Sequence, residues 1–451
     1  MQIVIIGAGK VGYSLARMLS SDEHDVIVVE PDIERGNIIN EKLDVQVVNG
    51  NGASPRLQRA IGIGNADLVV AVTDRDEINM LSCTFAKQAG AKRTVARLRD
   101  IEYANDIAAL RRLMPEVDVF INPEQVTAEV ISNYIRIPEA KNIYYFDKRK
   151  LMMVELPVAP DSLVNGKALK DLPKIKPFLI TSILRDGRFI IPNGNEIIRE
   201  HDYIFLMTRT EDMKEIERSL GFKRKVIQEV MILGGGRLGY YLAKILEPMD
   251  VQVKIIEQNQ ARCEELCELL PKATIIHGDA TDQELLIEEG LENANAIVAL
   301  TGMDEENIMM ALFAKTRGIK KIVAKVNADT RAQMVESLGI ESTVSAKSAT
   351  ADAILAYVKA RMNSYSSANI ETMYRLLNGK IVAQEYIINK ECDFTNTPLK
   401  DLPTKPNNLI ACIGRHRRII IPNGDDHLEV GDSVIVIAKE HTISDFKDIL
   451  A

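Results

Sequence analysis

The chain of 451 residues has no tryptophan, only five cysteines and six histidines, and no surplus of positive charge. Its net charge of -8 argues against nucleic acid as the main partner, because neutralising a phosphate backbone requires an excess of lysine and arginine. No apolar run approaches the length of about 20 residues that a membrane-spanning helix needs. The short apolar stretch at the N-terminus follows no basic segment, so no secretory signal is predicted. We therefore expect a soluble, cytosolic protein that reaches a membrane only through a partner.

The cysteines do not form a recognisable metal site. Only Cys263 and Cys267 lie close together, one helical turn apart, and His277 stands alone as a further candidate ligand. An odd number of cysteines at these spacings is typical of reduced, structural thiols. We therefore expect no metal site.

What the chain does contain is an internal duplication. The glycine-rich loop GAGKVG at 7–12 returns as GGGRLG at 234–239, and an acidic residue follows each loop at the same distance. The segments LKDLP and IIPNG also occur twice, at 169–173 and 399–403 and at 190–194 and 420–424. The sequence therefore contains two tandem copies of one unit.

Each copy begins with a part in which short β-branched runs alternate with helical patterns. Such a pattern predicts a parallel sheet that is covered by helices on both faces. Right-handed crossovers between the strands give a doubly wound, Rossmann-like domain. In the first copy the strands are predicted at 2–6, 25–30, 45–49, 67–72, 93–98 and 117–121, followed by a trailing helix at 123–135.

The second part of each copy has a different period. Residues 143–208 alternate apolar and polar positions between turn signals, and this pattern returns at 372–439. It predicts a small β-rich module, and the basic stretch at 221–225 predicts the junction between the copies. The expected fold class is therefore α/β, with two tandem Rossmann-like, doubly wound parallel sheets, each followed by a small β-rich α+β subdomain.

The glycine loops indicate two nucleotide-binding sites. Each loop follows a strand and opens a helix, where glycines let the backbone approach a pyrophosphate that binds free N–H groups. Glu30 and Glu257, at the ends of the next strands, can accept hydrogen bonds from both ribose hydroxyls and would repel a 2′-phosphate. NAD(H), or an adenine nucleotide, is therefore favoured over NADP(H).

Further residues fall where such a ligand would lie. Thr73 and Thr301 end the fourth strands, so we expect their hydroxyls and N–H groups to face the crevice, and cations in the loops and fifth strands could reach a phosphate or the far ribose. For each cation, a solvated or ion-paired side chain is an equally good interpretation. The candidate cofactor residues are Gly7, Ala8, Gly9, Lys10, Val11, Gly12, Glu30, Asn51, Thr73, Asp74, Arg97 and Arg99 in the first copy, and Gly234, Gly235, Gly236, Arg237, Leu238, Gly239, Glu257, Asp279, Ala280, Thr301, Gly302 and Lys325 in the second.

The third strand ends differently in the two copies. The first copy has Asn51 in this turn, whereas the second has Asp279 followed by Ala280. The turn borders the adenosine half of a bound dinucleotide, so losing a carboxylate changes the hydrogen bonds available to the base or ribose. We expect the two sites to differ in ligand or in affinity.

No catalytic group recurs with the glycines. None of the six histidines maps onto another under the repeat, and no Ser/His/Asp or Cys/His grouping is placed consistently. A dehydrogenase pairs a cofactor domain with a different domain for substrate, whereas the second module here is another nucleotide domain. A sensor, in which ligand binding favours one domain arrangement, fits this plan better than an enzyme.

The combined motifs resemble RCK (KTN) domains over essentially the whole chain. They are the duplicated glycine loops with Glu30 and Glu257, the GDAT turn at 278–281, the T..DE.N element that starts at Thr73 and Thr301, and the β-rich module with its IIPNG segment. The resemblance implies RCK-N domains at 1–135 and 228–350, and RCK-C domains at 143–220 and 370–451.

The resemblance also implies a function. It points to a nucleotide-sensing regulatory subunit of a Trk-type potassium uptake system, with NAD(H), ATP or ADP as ligands. A homo-oligomeric ring, dimeric or tetrameric, would gate a potassium-translocating membrane subunit of the TrkH or TrkG type from the cytoplasmic face. Arg99 is an implied ligand contact, and Asn327 stands at its position in the second copy. An NAD-dependent oxidoreductase and a regulator of a different cation transporter or exchanger remain as alternatives.

Overall fold

Contacts divide the chain into two compact units, each of which combines corresponding parts of the two copies. One unit consists of Met1–Arg136 and Ile227–Leu355, and the other of Ile137–Val226 and Ala356–Ala451. The computed structural model describes residues 1–20, 24–146, 150–173, 176–222, 227–340, 342–362, 370–376, 381–392, 394–416, 418–439 and 446–450. Residues 223–225 of the predicted junction lie outside this set, and the four predicted domain boundaries stay a prediction.

The first sheet has six parallel strands in the order β3-β2-β1-β4-β5-β6. Its central strand β1 is buried from Ile3 to Ile6, as expected for a strand covered on both faces. The strands are β1 (Gln2–Ile6), β2 (Asp25–Glu30), β3 (Gln46–Asn49), β4 (Leu68–Ala71), β5 (Thr94–Arg97) and β6 (Val119–Ile121), and the helices are α1 (Lys10–Ser20), α2 (Ile33–Lys42), α3 (Pro55–Ala60), α4 (Asp76–Gln88), α5 (Ile101–Asn105), α6 (Ile107–Leu113) and α7 (Pro123–Arg136). Every predicted strand of this sheet is present, with ends that differ by at most two residues.

The module that follows is an antiparallel sheet in the order β10-β9-β11-β8-β7. Its strands are β7 (Asn142–Phe146), β8 (Leu151–Pro157), β9 (Phe178–Arg185), β10 (Arg188–Ile190) and β11 (Tyr203–Arg209), with helix α8 (Met213–Ser219) after them. Both faces of β8 are buried, because Met152 and Val154 belong to a core within the module while Met153 belongs to a core shared with the second copy.

The second parallel sheet repeats the first, in the order β14-β13-β12-β15-β16-β17. Its strands are β12 (Glu229–Leu233), β13 (Gln252–Glu257), β14 (Thr274–His277), β15 (Ala296–Ala299), β16 (Lys321–Lys325) and β17 (Ser342–Val344), and its helices are α9 (Arg237–Leu246), α10 (Gln260–Leu269), α11 (Gln283–Glu288), α12 (Asp304–Thr316), α13 (Asp329–Ser337) and α14 (Ala346–Met362). In both sheets the strand order reverses beside the first strand of the copy, which is where a doubly wound fold binds its ligand.

The second antiparallel module has the order β18-β19-β22-β20-β21. Its strands are β18 (Ile370–Leu376), β19 (Ile381–Ile387), β20 (Asn408–Arg415), β21 (Arg418–Ile420) and β22 (Ser433–Lys439). Phe205 and Met207 of the first module share one apolar core with Ile435 and Ile437 of the second. The predicted fold class, two Rossmann-like sheets with two β-rich modules, is therefore confirmed.

Local sequence determines where several of these helices begin. The Asp32 carboxylate accepts a hydrogen bond from the Arg35 N–H at the start of α2, and the Asn259 side chain accepts one from the Arg262 N–H at the start of α10. Ser54 caps α3 in the same way and is followed by proline in the first turn. These side chains satisfy N–H groups that have no partner inside the helix.

Helix α7 joins the two copies in the first unit. Ala128 and Ile131 of α7 lie in one apolar core with Tyr240, Tyr241 and Leu242 of α9. The Nδ2 of Asn122, just before α7, donates a hydrogen bond to the Tyr241 hydroxyl oxygen at 3.1 Å. Burial, assisted by the neighbouring Tyr240, raises the pKa of Tyr241 to about 12. The trailing helix predicted to leave the first sheet thus packs against the second.

Among the described residues, no helix is both long and apolar enough to cross a membrane. Within the same residues, no group of three or more His, Cys, Asp or Glu side chains is placed to hold a metal ion. All five cysteines are free thiols.

A buried ion pair recurs in the two β-rich modules. The Arg185 guanidinium donates to both carboxylate oxygens of Asp202 at 2.8 Å, and Arg415 pairs with Asp432 in the same way. The Asp202 side chain is 1% exposed. The bond to Asp202 is the main cause that raises the pKa of Arg185, so its guanidinium stays charged.

Replacing Asp202 by alanine should destabilise the second unit, because it leaves a largely buried guanidinium without its main partner. The expected loss is about 3 kcal/mol of unfolding free energy, measured by urea unfolding. Glu196→Gln is the control, since Glu196 is 27% exposed and Arg185 keeps Asp202. Equal losses in the two variants would contradict the assigned role of the buried pair.

Candidate functional site

The first glycine loop requires glycine at two positions for steric reasons. Gly7 has a φ of +100°, and a Cβ there would lie 2.9 Å from the backbone nitrogen of Thr73. A Cβ on Gly12 would lie 1.9 Å from the carbonyl oxygen of Gly7. Gly9 differs, because a Cβ there would meet nothing within 4 Å. The loop is therefore packed tightly against neighbouring backbone at Gly7 and Gly12, whereas it faces open space at Gly9.

The second glycine loop has the same geometry. Gly234 has a φ of +111°, and a Cβ on Gly239 would lie 2.3 Å from the Gly234 carbonyl oxygen. Gly236 and Gly302 have open space around them, whereas Leu238 is buried at the start of α9. The two loops are thus equivalent in backbone as well as in sequence.

Each predicted ribose-binding acid lies against its glycine loop. A Glu30 carboxylate oxygen accepts a hydrogen bond from the Ala8 N–H at 2.6 Å, and a Glu257 oxygen accepts one from the Gly235 N–H at 2.8 Å. The other oxygen of Glu30 accepts from the Asp32 N–H at 3.2 Å, and Glu30 is only 4% exposed. The structure therefore brings loop and acid together in both copies, as the spacing predicted.

The turns after the third strands bind their own backbones. The Asn51 side-chain oxygen accepts from the Ala53 N–H at 2.9 Å. Asp279 accepts from both the N–H and the hydroxyl of Thr281 at 2.8 Å, and these bonds lower the pKa of its carboxyl. Ala280 beside it is buried. The two turns thus differ in charge while sharing a shape.

The buried asparagine that ends the T..DE.N element holds each threonine turn, a role that the sequence alone did not predict. The Asn79 Oδ1 accepts from the N–H and the hydroxyl of Thr73, at 2.8 and 2.7 Å, and its Nδ2 donates to the carbonyl of Arg97. Asn307 accepts from the Thr301 N–H at 2.7 Å in the second copy. We expected the threonine groups to face the crevice, but those of Thr73 bind Asn79. Contact of either threonine with a ligand stays a prediction.

The acid of the same motif fixes the turn after the fifth strand. An Asp76 carboxylate oxygen accepts from the N–H groups of Arg99 and Asp100, at 2.7 and 2.8 Å. Asp304 accepts in the same way from Asn327 and Ala328. The T..DE.N element therefore joins the ends of the fourth and fifth strands, which explains its recurrence in both copies.

The cations at the fifth strands are buried to different degrees and partnered differently. Arg97 is 9% exposed, and its Nε and Nη2 have no hydrogen-bond partner. Burial lowers the pKa of Arg97, as does the neighbouring Arg99, and nearby acids oppose the shift. Arg99 donates to Glu124 in the first turn of α7, through its Nε at 2.7 Å and also through Nη2. The pair connects the end of β5 with the helix that packs on the second copy.

In the second copy Lys325 takes the place of Arg97. Its ammonium donates to the carbonyl of Leu300 at 3.3 Å. Burial lowers the pKa of Lys325, Asp304 and Glu124 oppose this, and Lys10 of the first copy adds to the lowering. Groups of both copies thus act on one half-buried ammonium.

A cavity of about 610 Å³ lies beside the first glycine loop, between the two copies. Ala8, Gly9 and Lys10 form one side, and Asp304 and Asn327 of the second copy form part of the other. The cavity could not be predicted from the sequence, because its walls come from segments far apart in the chain. Among the other predicted residues, Asp74 and Arg237 are exposed and Val11 is half-buried.

Comparison with known proteins identifies the family. The family model described as the TrkA-N domain matches residues 3–123 and 230–346, and the TrkA-C domain matches residues 153–221 and 383–451. The chain belongs to the TrkA family. A Trk system potassium uptake protein TrkA homolog of Archaeoglobus fulgidus is 34% identical over 449 residues, which covers 100% of both chains. The Trk system potassium uptake protein TrkA of Halomonas elongata is 31% identical, covering 97% of this chain and 95% of its own length.

Solved structures agree on the fold. The GsuK channel bound to NAD superposes with a TM-score of 0.65 and 18% sequence identity, covering 97% of this chain and 76% of its own. The GsuK RCK domain gives a TM-score of 0.64 at the same identity, with 92% of that chain covered. The resemblance to RCK domains predicted from the motifs is therefore confirmed for this TrkA-family chain.

Substitutions at Gly12, which is tightly packed, and at Gly9, which faces open space, should have different effects on stability and on nucleotide binding. Gly12→Ala should lower the unfolding free energy by about 3 kcal/mol, because the new methyl group overlaps the Gly7 carbonyl. Gly9→Ala should change stability by less than about 0.5 kcal/mol, yet weaken nucleotide binding by placing a methyl group above the loop. Thermal unfolding and calorimetric titration with NADH measure both effects. If the Gly9→Ala variant bound NADH as tightly as wild type, the nucleotide would not bind against this loop.

Proposed function

We propose that this TrkA-family chain is the nucleotide-sensing regulatory subunit of a potassium uptake system. It binds NAD(H), ATP or ADP at two glycine-loop crevices and gates a membrane subunit that conducts potassium. The observation that carries the proposal is the duplicated pairing of loop and acid, Ala8 with Glu30 and Gly235 with Glu257, at the point where each sheet reverses its strand order.

The relatives support the choice of system. The family members from Archaeoglobus and Halomonas are named as parts of Trk potassium uptake systems, and they align with essentially the whole chain. The fold neighbour GsuK has been solved with NAD and with ADP, and another neighbour, at a TM-score of 0.50, is the human SLO3 gating ring. We infer a homo-oligomeric ring on the cytoplasmic face of the membrane, held there by a TrkH- or TrkG-type partner.

Binding at one crevice reaches the other through α7. Arg99, at the end of β5, pairs with Glu124 in the first turn of α7, and α7 packs on α9, which begins at the second glycine loop. A ligand phosphate beside Arg97 and Arg99 would compete with Glu124 for Arg99 and so bias the position of α7. Such a bias is a coupling free energy between the two sites, and a ring of subunits transmits it to the partner.

Regulation is favoured over catalysis because no proton donor recurs in the two copies. The histidines stand at 24, 201, 277, 416, 427 and 441, and none corresponds to another under the repeat. Steady oxidation of NADH with a carbonyl substrate would instead support an NAD-dependent oxidoreductase. A different cation transporter or exchanger as partner remains the second alternative.

Glu30 should set the preference for NAD(H). Glu30→Gln removes the negative charge that would repel a 2′-phosphate, so the affinity for NADPH should rise relative to NADH, by about tenfold in the ratio. Calorimetric titration of the full chain with both nucleotides measures this ratio. Glu34→Gln, on the exposed face of α2, is the matched control and should leave the ratio unchanged. If the ratio of NADPH to NADH affinity did not change in Glu30→Gln, the ribose would not bind beside Glu30.

The regulatory function itself is tested by potassium flux. The TrkH- or TrkG-type subunit is reconstituted in vesicles with and without this chain, and flux is measured with NADH, NAD, ATP and ADP. We expect flux to depend on the chain and on at least one nucleotide, and to lose its nucleotide dependence in the Gly9→Ala variant. Flux that ignores every nucleotide would refute the proposal, even if the chain binds them.

A further inference from the structure

The turn after β3, which we call the β3 turn (residues 50–53), lies beside the acid assigned to the ribose. The Gly50 N–H donates a hydrogen bond to the carbonyl oxygen of Glu30 at 3.1 Å. Gly52 is buried, and a Cβ there would lie 2.1 Å from Cγ2 of Ile6, the last residue of β1. The β3 turn therefore packs against the ends of β1 and β2, where the adenosine half of a dinucleotide is expected.

A buried glutamine connects the β3 turn to helix α4. The Gln58 Nε2 donates to the carbonyl oxygen of Gly52 at 2.7 Å and to that of Ser82 at 3.0 Å. Gln58 lies on α3 and is 2% exposed, and Ser82 lies on α4 and is fully buried. A single amide group thus joins the β3 turn to the helix that follows β4.

Helix α4 also holds the turns after the next two strands. Asn79 binds the Thr73 turn after β4, and Asp76 binds the turn after β5. These two residues and Ser82 are spaced three apart and are all buried, so they share one face of α4. Through Gln58, this one face therefore holds the turns after β3, β4 and β5 of the first copy.

The second copy holds its third-strand turn differently. Under the repeat, Leu286 takes the place of Gln58. Met310 takes the place of Ser82, and it lies with Leu286 in one apolar core. At these positions the first copy has a polar connection where the second has an apolar contact.

Stability alone favours the apolar contact. The Gln58 Oε1 and the Ser82 hydroxyl are buried, and neither has a hydrogen-bond partner among the residues that the structure describes. A buried polar atom without a partner costs free energy, whereas an apolar pair such as that of the second copy carries no such cost. What Gln58 adds in return is the pair of hydrogen bonds that fixes the β3 turn.

We propose that Gln58 is a positioning residue that fixes the β3 turn for recognition of adenine at the first site. The inference rests on the function proposed above. Adenine presents an amino donor at the position where guanine presents a carbonyl acceptor, so a turn backbone held in one place distinguishes the two bases. Gln58 is buried and acts on the ligand only through the turn. Loss of its two hydrogen bonds lets the turn shift and weakens the distinction.

Gln58→Met tests the inference, because it removes both hydrogen bonds while keeping the length of the side chain. Every chain, the reference included, carries Gly236→Ala to weaken binding at the second loop. Calorimetric titration of the full chain uses two pairs of ligands, ADP with GDP and NAD with nicotinamide guanine dinucleotide. The affinity for the adenine ligand relative to its guanine partner should fall about fivefold or more, since each lost hydrogen bond corresponds to about a factor of five.

Gln88→Met is the matched control, because Gln88 is exposed at the end of α4, and it should leave the ratio unchanged. Gln58→Leu introduces the residue that stands at 286, should lower the ratio in the same way, and serves if Gln58→Met does not fold. The inference alone is overturned by equal losses for both bases, by an unchanged ratio, by the same fall in Gln88→Met, or by a reference chain that binds both bases equally. A reference chain that binds none of the four ligands refutes the proposed function and this inference with it.

Discussion

The packing of α7 on α9 is the interaction on which the first unit depends. Ala128 and Ile131 are fully buried against Tyr240 and Tyr241, so neither sheet has a complete apolar boundary without the other copy. The same contact determines where the binding edges lie, because α7 begins just after β6 and α9 begins at the second glycine loop. The helix pair therefore forms a continuous apolar contact between the elements that border the two crevices.

The two copies share the backbone geometry of the binding site but differ in the charged side chains around it. Glycine loops, acids and buried asparagines occupy equivalent places, and each is fixed by steric or hydrogen-bond requirements that leave few substitutes. The variable positions are those that face open space or the other copy, such as Arg99 against Asn327 and Glu124 against Lys347. Duplication preserved the geometry of the site while allowing its electrostatics to diverge.

Much of this frame could be predicted from the sequence. The strands, the glycine loops and the position of Glu30 follow from periodicity and spacing, since each depends on residues close together in the chain. The roles of Asn79 and Asp76 were harder to predict, because a polar residue in a helical pattern normally faces solvent. Only the structure shows Asn79 fully buried, with its amide joining two strand ends.

The relation between the copies could not be predicted, because it joins segments more than 100 residues apart. No periodicity records that Asn122 meets Tyr241, or that Arg331 and Lys347 line a cavity with Lys10. The contact of α7 with α9 joins the elements that border the two crevices, so a ligand that bound two arrangements of these helices with different affinity would act on both crevices. A lone Rossmann domain has no such second copy, which is a physical reason for the duplication to persist.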